Sequence, residues 1–254
     1  MNLPIKDVQL LVPVTVRILS ALMVAPVFSH QSVPAIVKIV LAGMLAWLLV
    51  LPGGMSVSLP TTADQWLAGI AGEALIGLLL GALSSLAFWG LSMAGELVGL
   101  QIGWNFPATL HAGLESSPAP TGQLYSILGT LIFLVTGCYQ LWLRALAGTF
   151  VAVPPFGFAM NGLAVDQAIS LISALFAGAV QLALPVMGTL LLVETVLAFM
   201  TRVLPQFNAW VFGMPLKVGV GLLAIWLTLP VLVMMIDRWL QQVPAALRIV
   251  QVLR

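Results

Sequence analysis

The chain has 254 residues, 61% of them hydrophobic and 7% charged, with a mean hydropathy of +1.13 and a formal net charge of +1. Soluble domains carry roughly 25% charged residues, so a water-solvated surface is excluded: large apolar areas would be bare and would aggregate, and lipid or a large apolar partner is the expected solvent. No basic tail or stripe is present, which argues against nucleic acid as a partner, and the single cysteine, Cys138, excludes an internal disulfide.

In chain order, Lys6 precedes an apolar run that ends near Ala25, like a signal peptide. Arg17 interrupts that run and Pro26 would follow the only plausible cleavage point, so the segment reads as retained. Across 8–28, Val, Ile, Leu and Phe contribute about 4–7 kcal/mol of insertion free energy. Arg17 at mid-depth removes about 2.5–3.5 kcal/mol of it, and Pro13, Pro26 and Gln9 remove more. Insertion of this segment alone is marginal, and Arg17 needs a partner helix or a protein-lined setting. The next apolar stretch, 36–51, is short and ends at Pro52-Gly53-Gly54.

Stretches follow at 67–99, 124–150, 168–200 and 209–236. Within them 74–95, 167–193 and 218–236 are free of Asp, Glu, Lys and Arg. About 20 apolar residues cross a bilayer, and a helix satisfies its own backbone there. The expectation is therefore an all-α membrane protein of about six apolar helical segments. The long stretches 67–99 and 168–200 exceed one crossing and predict tilted, kinked or hairpin-like helices, with a bend at Pro185. Loops are expected at 52–65, 101–123 and 151–166. With six crossings, the excess of Lys and Arg at one set of ends (Lys6, Arg144, Arg238, Arg248, Arg254 against Lys38 and Arg202) favours both termini on the cytoplasmic side.

Few residues carry chemistry. There is no nucleophile elbow, phosphate loop or cysteine pair, and the four-residue spacing of His111 and Glu115 has no third ligand near it, so neither an enzyme nor a cofactor is expected. Gly77, Gly81 and Ser85, and then Gly95, Gly99 and Gly103, recur every four residues, which lines each set along one helix face where backbones can approach. Arg17, Glu73, Glu96, Arg144, Glu194, Arg202 and Lys217 lie in apolar surroundings and must face protein or water. They read as ion pairs, helix-end anchors or subunit contacts, or else, with Glu73, Glu96 and Glu194 as coupling carboxylates, as the relay of a small-solute transporter. In Leu204-Pro205-Gln206-Phe207-Asn208-Ala209-Trp210-Val211-Phe212-Gly213-Met214-Pro215-Leu216-Lys217, amides, prolines and a lysine interrupt apolar sequence. That predicts a non-helical turn.

This last stretch resembles the signature of the FliR family, called SctT in virulence injectisomes. Arg17-Ile18, Ala25-Pro26-Val27-Phe28, Val33-Pro34 and Lys38 resemble the family's opening pattern, and Gln101-Ile102-Gly103 with Phe106 its Gln-Met-Gly segment. Ala183-Leu184-Pro185-Val186 and Arg202-Val203-Leu204-Pro205-Gln206-Phe207-Asn208 match the later part. The chain departs from the family at Gly137-Cys138-Tyr139-Gln140, where a Gly-His pair is common, and in the loop at Leu110-His111-Ala112-Gly113-Leu114-Glu115, where an Asp-Pro pair is usual.

The resemblance implies a non-enzymatic core subunit of the flagellar type III protein export gate, multi-pass in the bacterial inner membrane at the flagellar basal body. An injectisome homologue is the alternative. It implies a single export-gate domain over 1–254, FliP-like to about 200 and FliQ-like from about 201, packed with FliP and FliQ in a helical assembly. FlhB and FlhA are implied as further partners, membrane lipid as surroundings and unfolded exported proteins as substrate. It implies a channel plug in the loop of about 104–122, with Phe106, Pro107, His111, Glu115, Ser116, Ser117 and Pro118. It also implies that crossings read from hydropathy include helices buried among subunits.

Overall fold

The computed structural model describes residues 5–30, 33–51, 59–104, 119–157, 162–204 and 209–241. These residues form an all-α fold of helices α1 (Ile5–Val24), α2 (Ala35–Val50), α3 (Ala63–Ile102), α4 (Pro120–Val135), α5 (Cys138–Ala152), α6 (Gly162–Val203) and α7 (Ala209–Leu240). Ala63–Ile102, Ile172–Val203 and Val211–Arg238 are long and apolar enough to cross a membrane by themselves. At 1.5 Å per residue the 40 residues of α3 run for about 60 Å, twice the ~30 Å of a hydrocarbon core.

Two expectations from the sequence are revised. The run 124–150 is two helices, not one: α4 ends at Val135 and α5 begins at Cys138. The cause is local: Gly137 adopts φ +73°, the left-handed conformation that ends a helix and that glycine enters without a Cβ clash. The stretch 209–217 is not a turn. It is the first part of α7, which continues through Pro215 and Pro230, as α6 continues through Pro185. Each proline removes one bond from a long intrahelical ladder, a loss that apolar helices with packed neighbours tolerate. Beside three spanning helices and the α4–α5 pair, α1 and α2 are short apolar helices.

The chain divides into two compact units, Met1–Ala87 with Gly137–Ile172 and Gln241–Arg254, and Phe88–Thr136 with Ser173–Leu240. In the first, Leu10, Val14, Arg17, Ile18, Ala21 and Leu22 are buried and fall at three- and four-residue intervals, one face of α1. That face meets the glycines of α3. A Cβ on Gly77 would strike Ser20 Oγ and the Arg17 carbonyl, and one on Gly81 would lie 2.7 Å from the Ala21 carbonyl oxygen. Ser85 Oγ then donates to the Val24 carbonyl at 2.5 Å. On α2, Lys38, Ala42, Ala46 and Val50 form the buried stripe, while Ile36, Val40, Met44 and Leu48 are exposed.

In the second unit, Thr121, Gly122, Tyr125, Gly129, Ile132 and Phe133 make the buried face of α4. Gly129 lies under Leu91, and the rings of Phe88 and Phe133 meet edge to face at 5.6 Å. Gly213 of α7 packs on Leu197 of α6, and Gly221 on Ile102 and Leu190. Much of α6 and α7 remains bare, including Leu184, Leu192, Phe199, Phe212, Leu223 and Trp226.

Candidate functional site

Two arrangements stand out, one in each unit. In the first unit a guanidinium is held with almost every donor used. Arg17 is fully buried. Its Nε donates to Glu73 Oε2 at 2.5 Å and its Nη2 to Glu73 Oε1 at 3.0 Å, a bidentate fork. Nη1 donates to the Val153 carbonyl at 2.9 Å and the Thr149 carbonyl at 3.4 Å. These are carbonyls of the C-terminal end of α5, where the helix dipole is negative. The Phe150 ring lies 4.4 Å from the guanidinium carbon.

Glu73 Oε1 also accepts from the Phe156 N–H at 2.9 Å. That bond fixes the turn after α5, in which Phe156 stands at φ +65° and its ring meets Trp66 edge-on at 5.2 Å. A Cβ on Gly69 would collide with the same ring. About three turns of α3 further on, Trp142 Nε1 donates to Ser84 Oγ at 2.6 Å, Ser84 donates in turn to the Leu80 carbonyl at 2.7 Å, and Phe28 stacks on the indole.

In the second unit the last turns of α3 carry both roots of the segment that leaves α3 and returns at α4. At the first root, Gly103 takes φ +97°. Its N–H bonds the Leu100 carbonyl at 3.2 Å while the Trp104 N–H bonds the Gly99 carbonyl at 3.0 Å. This is the Schellman pattern of a helix closed by a left-handed glycine. At the second root, a Cβ on Gly95 would strike the Thr121 carbonyl and Gly122 Cα, and Glu96 Oε1 lies 3.1 Å from where a Cβ of Gly122 would stand. Gly95 and Gly103 are eight residues apart, about 12 Å along the helix. The fourteen residues 105–118 between the roots have an extended contour approaching 50 Å. A turn of a few residues would close the gap between the roots.

The residues singled out in the sequence are distributed as follows. Gly77 and Gly81 lie against α1, Gly95 against the start of α4, Gly99 is buried with its carbonyl in the helix stop, and Gly103 is that stop. Arg17 is in the buried node, Pro26 is buried, and Gln101 is half-buried in the last turn of α3. Pro185 sits within α6, and Arg202 is exposed in its last turn, where a cation suits the negative helix end. Gly213 and Pro215 lie in α7, and Lys217 Nζ pairs with Glu194 Oε1 at 2.5 Å with both side chains partly exposed. Phe106, Pro107, His111, Glu115, Ser116, Ser117, Pro118, Pro205, Gln206 and Asn208 lie outside the described residues.

Of the seven charges in apolar surroundings, four form two ion pairs, Arg17–Glu73 and Lys217–Glu194. With Glu73 and Glu194 engaged, a relay of three free carboxylates loses two members. Sequence reasoning missed Trp142, Gly122 and Phe156. The only signal for Phe156 was the Pro154-Pro155 pair before it, and for Gly122 the Pro120 two residues earlier.

Comparison with known proteins matches residues 8–243 to the family described as bacterial export proteins, family 1. The flagellar biosynthetic protein FliR of Pectobacterium carotovorum subsp. carotovorum is 32% identical over 85% of this chain and 83% of its own. That of Escherichia coli (strain K12) is 32% identical over 81% and 78%. The Yop proteins translocation protein T of Yersinia pestis is 32% identical over 60% and 59%. With a family match over nearly its whole length and relatives of this closeness, the chain belongs to the family of bacterial export proteins that includes FliR.

Proposed function

We propose that this chain is a non-catalytic core subunit of the flagellar type III protein export gate in the bacterial inner membrane, and that residues 105–118 close the path that unfolded flagellar proteins take through it. FliP and FliQ are its packing partners, with FlhB and FlhA beside the gate. The part to about residue 200 is its FliP-like portion and the part from about 201 its FliQ-like portion. The observation that carries the closing role is the pair of roots on α3: a segment far longer than its ~12 Å gap leaves at Gly103 and returns beside Gly95 and Glu96. Apolar faces left bare on α2, α6 and α7 support the reading as a subunit, since surfaces of that extent are covered by lipid or by partner chains.

The flagellar reading is favoured over the injectisome one by coverage. Matches to FliR proteins extend over 81–85% of the chain and the match to the Yop protein over 60%. Deleting the gene tests this: loss of swimming with absent filaments is the expected outcome, and normal filaments overturn it. For the plug, residues 108–114 are removed and the gate purified with its partners in liposomes. Unchanged assembly with raised ion leakage is expected. An intact gate that leaks no more than wild type sinks the closing role.

A further inference from the structure

We infer that Glu96 is a positioning residue: its carboxylate holds the start of α4 on α3. The effect on leakage rests on the closing role proposed above, whereas the effect on α4 does not.

The start of α4 is poorly provided for by its own sequence. The first N–H groups of a helix have no partner within it and are usually met by a Ser, Thr, Asp or Asn cap. Here the capping position is Ala119, which makes no side-chain bond, Pro120 follows it, and the first turn holds no acidic residue. On the same turn and the next, Thr121 Oγ1 and Tyr125 Oη are buried without a hydrogen-bond partner, with residue exposures of 1% and 0%. The segment thus enters an apolar interface with its positive helix end and two hydroxyls unmatched. Buried polar groups in that condition favour release of the element that carries them.

The neighbouring helix brings a charge to this turn. Glu96 Oε1 and Cγ lie 3.1 and 3.2 Å from the position a Cβ would take on Gly122, so the carboxylate rests on the first turn of α4. The approach depends on two missing side chains. Gly95 admits the Thr121 carbonyl and Gly122 Cα, and Gly122 admits Glu96. Among the described residues the ion pairs are Arg17–Glu73 and Lys217–Glu194, and Glu96 belongs to neither. A carboxylate within an apolar helix and an uncapped positive helix end therefore meet each other. Glu96 itself is half-buried and Ala119, Thr121 and Gly122 are buried, which keeps part of the water off such an interaction. Glu96 sits two turns before Gly103, so one helix sets both ends of the segment: a backbone stop at one end and a charge at the other.

The test is hydrogen exchange in the whole gate purified with its partner subunits. In Glu96→Gln, amides in 121–125 are expected to exchange about tenfold faster while those in 128–135 keep their wild-type rates. Moving the charge to α4 itself, with Gln123→Glu added to Glu96→Gln, is expected to recover most of the lost protection. Exposed Gln123 makes that change without repacking, and a residue that merely filled space would not be rescued by it. Should Glu96→Gln fail to assemble, Gly122→Ala displaces the carboxylate without removing it and is expected to give the same local acceleration. Unchanged exchange at 121–125, or acceleration spread evenly along α4, overturns the inference. Faster exchange at 121–125 with unchanged ion leakage leaves Glu96 as the anchor and removes the closing role of 105–118.

Discussion

Arg17 and Glu73 meet across 56 residues of sequence as a bidentate ion pair with both side chains fully withdrawn from solvent. The pair also holds the Val153 carbonyl and the Phe156 N–H, so it ties α1, α3 and the turn after α5 together. Removing one partner leaves an uncompensated buried charge, and Arg17→Met or Glu73→Leu alone is expected to cost about 3–5 kcal/mol. The double substitution removes both charges and is expected to recover a large part of that loss. Thermal denaturation of the purified gate, with the amount of chain recovered in it, measures the cycle. A double variant as damaged as the sum of the singles would show that the two side chains act separately.

Glycines in this chain are not equivalent. Gly77→Leu puts a side chain into Ser20 and the Arg17 carbonyl, where a backbone cannot retreat without moving α1. Loss of at least ~3 kcal/mol is expected, the upper range of overpacking. Gly188, within α6, has open space for 4 Å around the point where a Cβ would stand. Gly188→Ala is expected to be neutral or to gain up to about 1 kcal/mol, the helix-interior penalty of glycine. The same melting measurement separates the two, and equal effects would refute the packing assigned to Gly77.

Gly103→Val asks a β-branched residue to hold φ +97°. The strain of about 1–2 kcal/mol or more falls on the helix stop and not on the core. The expected outcome is a gate of normal composition with raised ion leakage. Wild-type leakage would mean that the conformation of this root does not matter to closure.

Ser84→Ala removes the hydroxyl that receives the buried Trp142 Nε1, and an orphaned buried donor costs about 1–3 kcal/mol. Thr130 serves as the control, since its Oγ1 bonds the Ser126 carbonyl of its own helix. Thr130→Ala is expected to stay within about 0.5 kcal/mol of wild type. Comparable losses at both positions would argue against a tertiary role for the Ser84 hydroxyl.

Much of the fold was legible because an apolar helix writes itself into composition. Long runs without charge marked α3, α6 and α7, and the four-residue recurrence of Gly77, Gly81 and Ser85 marked the face of α3 on which α1 lies. The break at Gly137 was hidden in one unbroken apolar run, because a single glycine ends a helix through its φ angle and leaves no trace in hydropathy. The partner of Arg17 was equally hidden: three carboxylates in apolar stretches were available on paper, and the carbonyls of Thr149 and Val153 carry no side-chain signal. Gly103 looked like a packing residue from its spacing, yet its left-handed backbone makes it the end of the helix. Glu96 looked like one more stray charge until the approach of Gly122 gave it a neighbour.

The 40-residue span of α3 has a consequence for its surroundings. Even at a tilt of 40°, a hydrocarbon layer of ~30 Å hides only about 40 Å of a rod some 60 Å long. Roughly a third of this apolar helix therefore extends past the hydrocarbon layer and must find its cover in protein, from this chain or another. Lipid alone is therefore not the whole solvent of this chain.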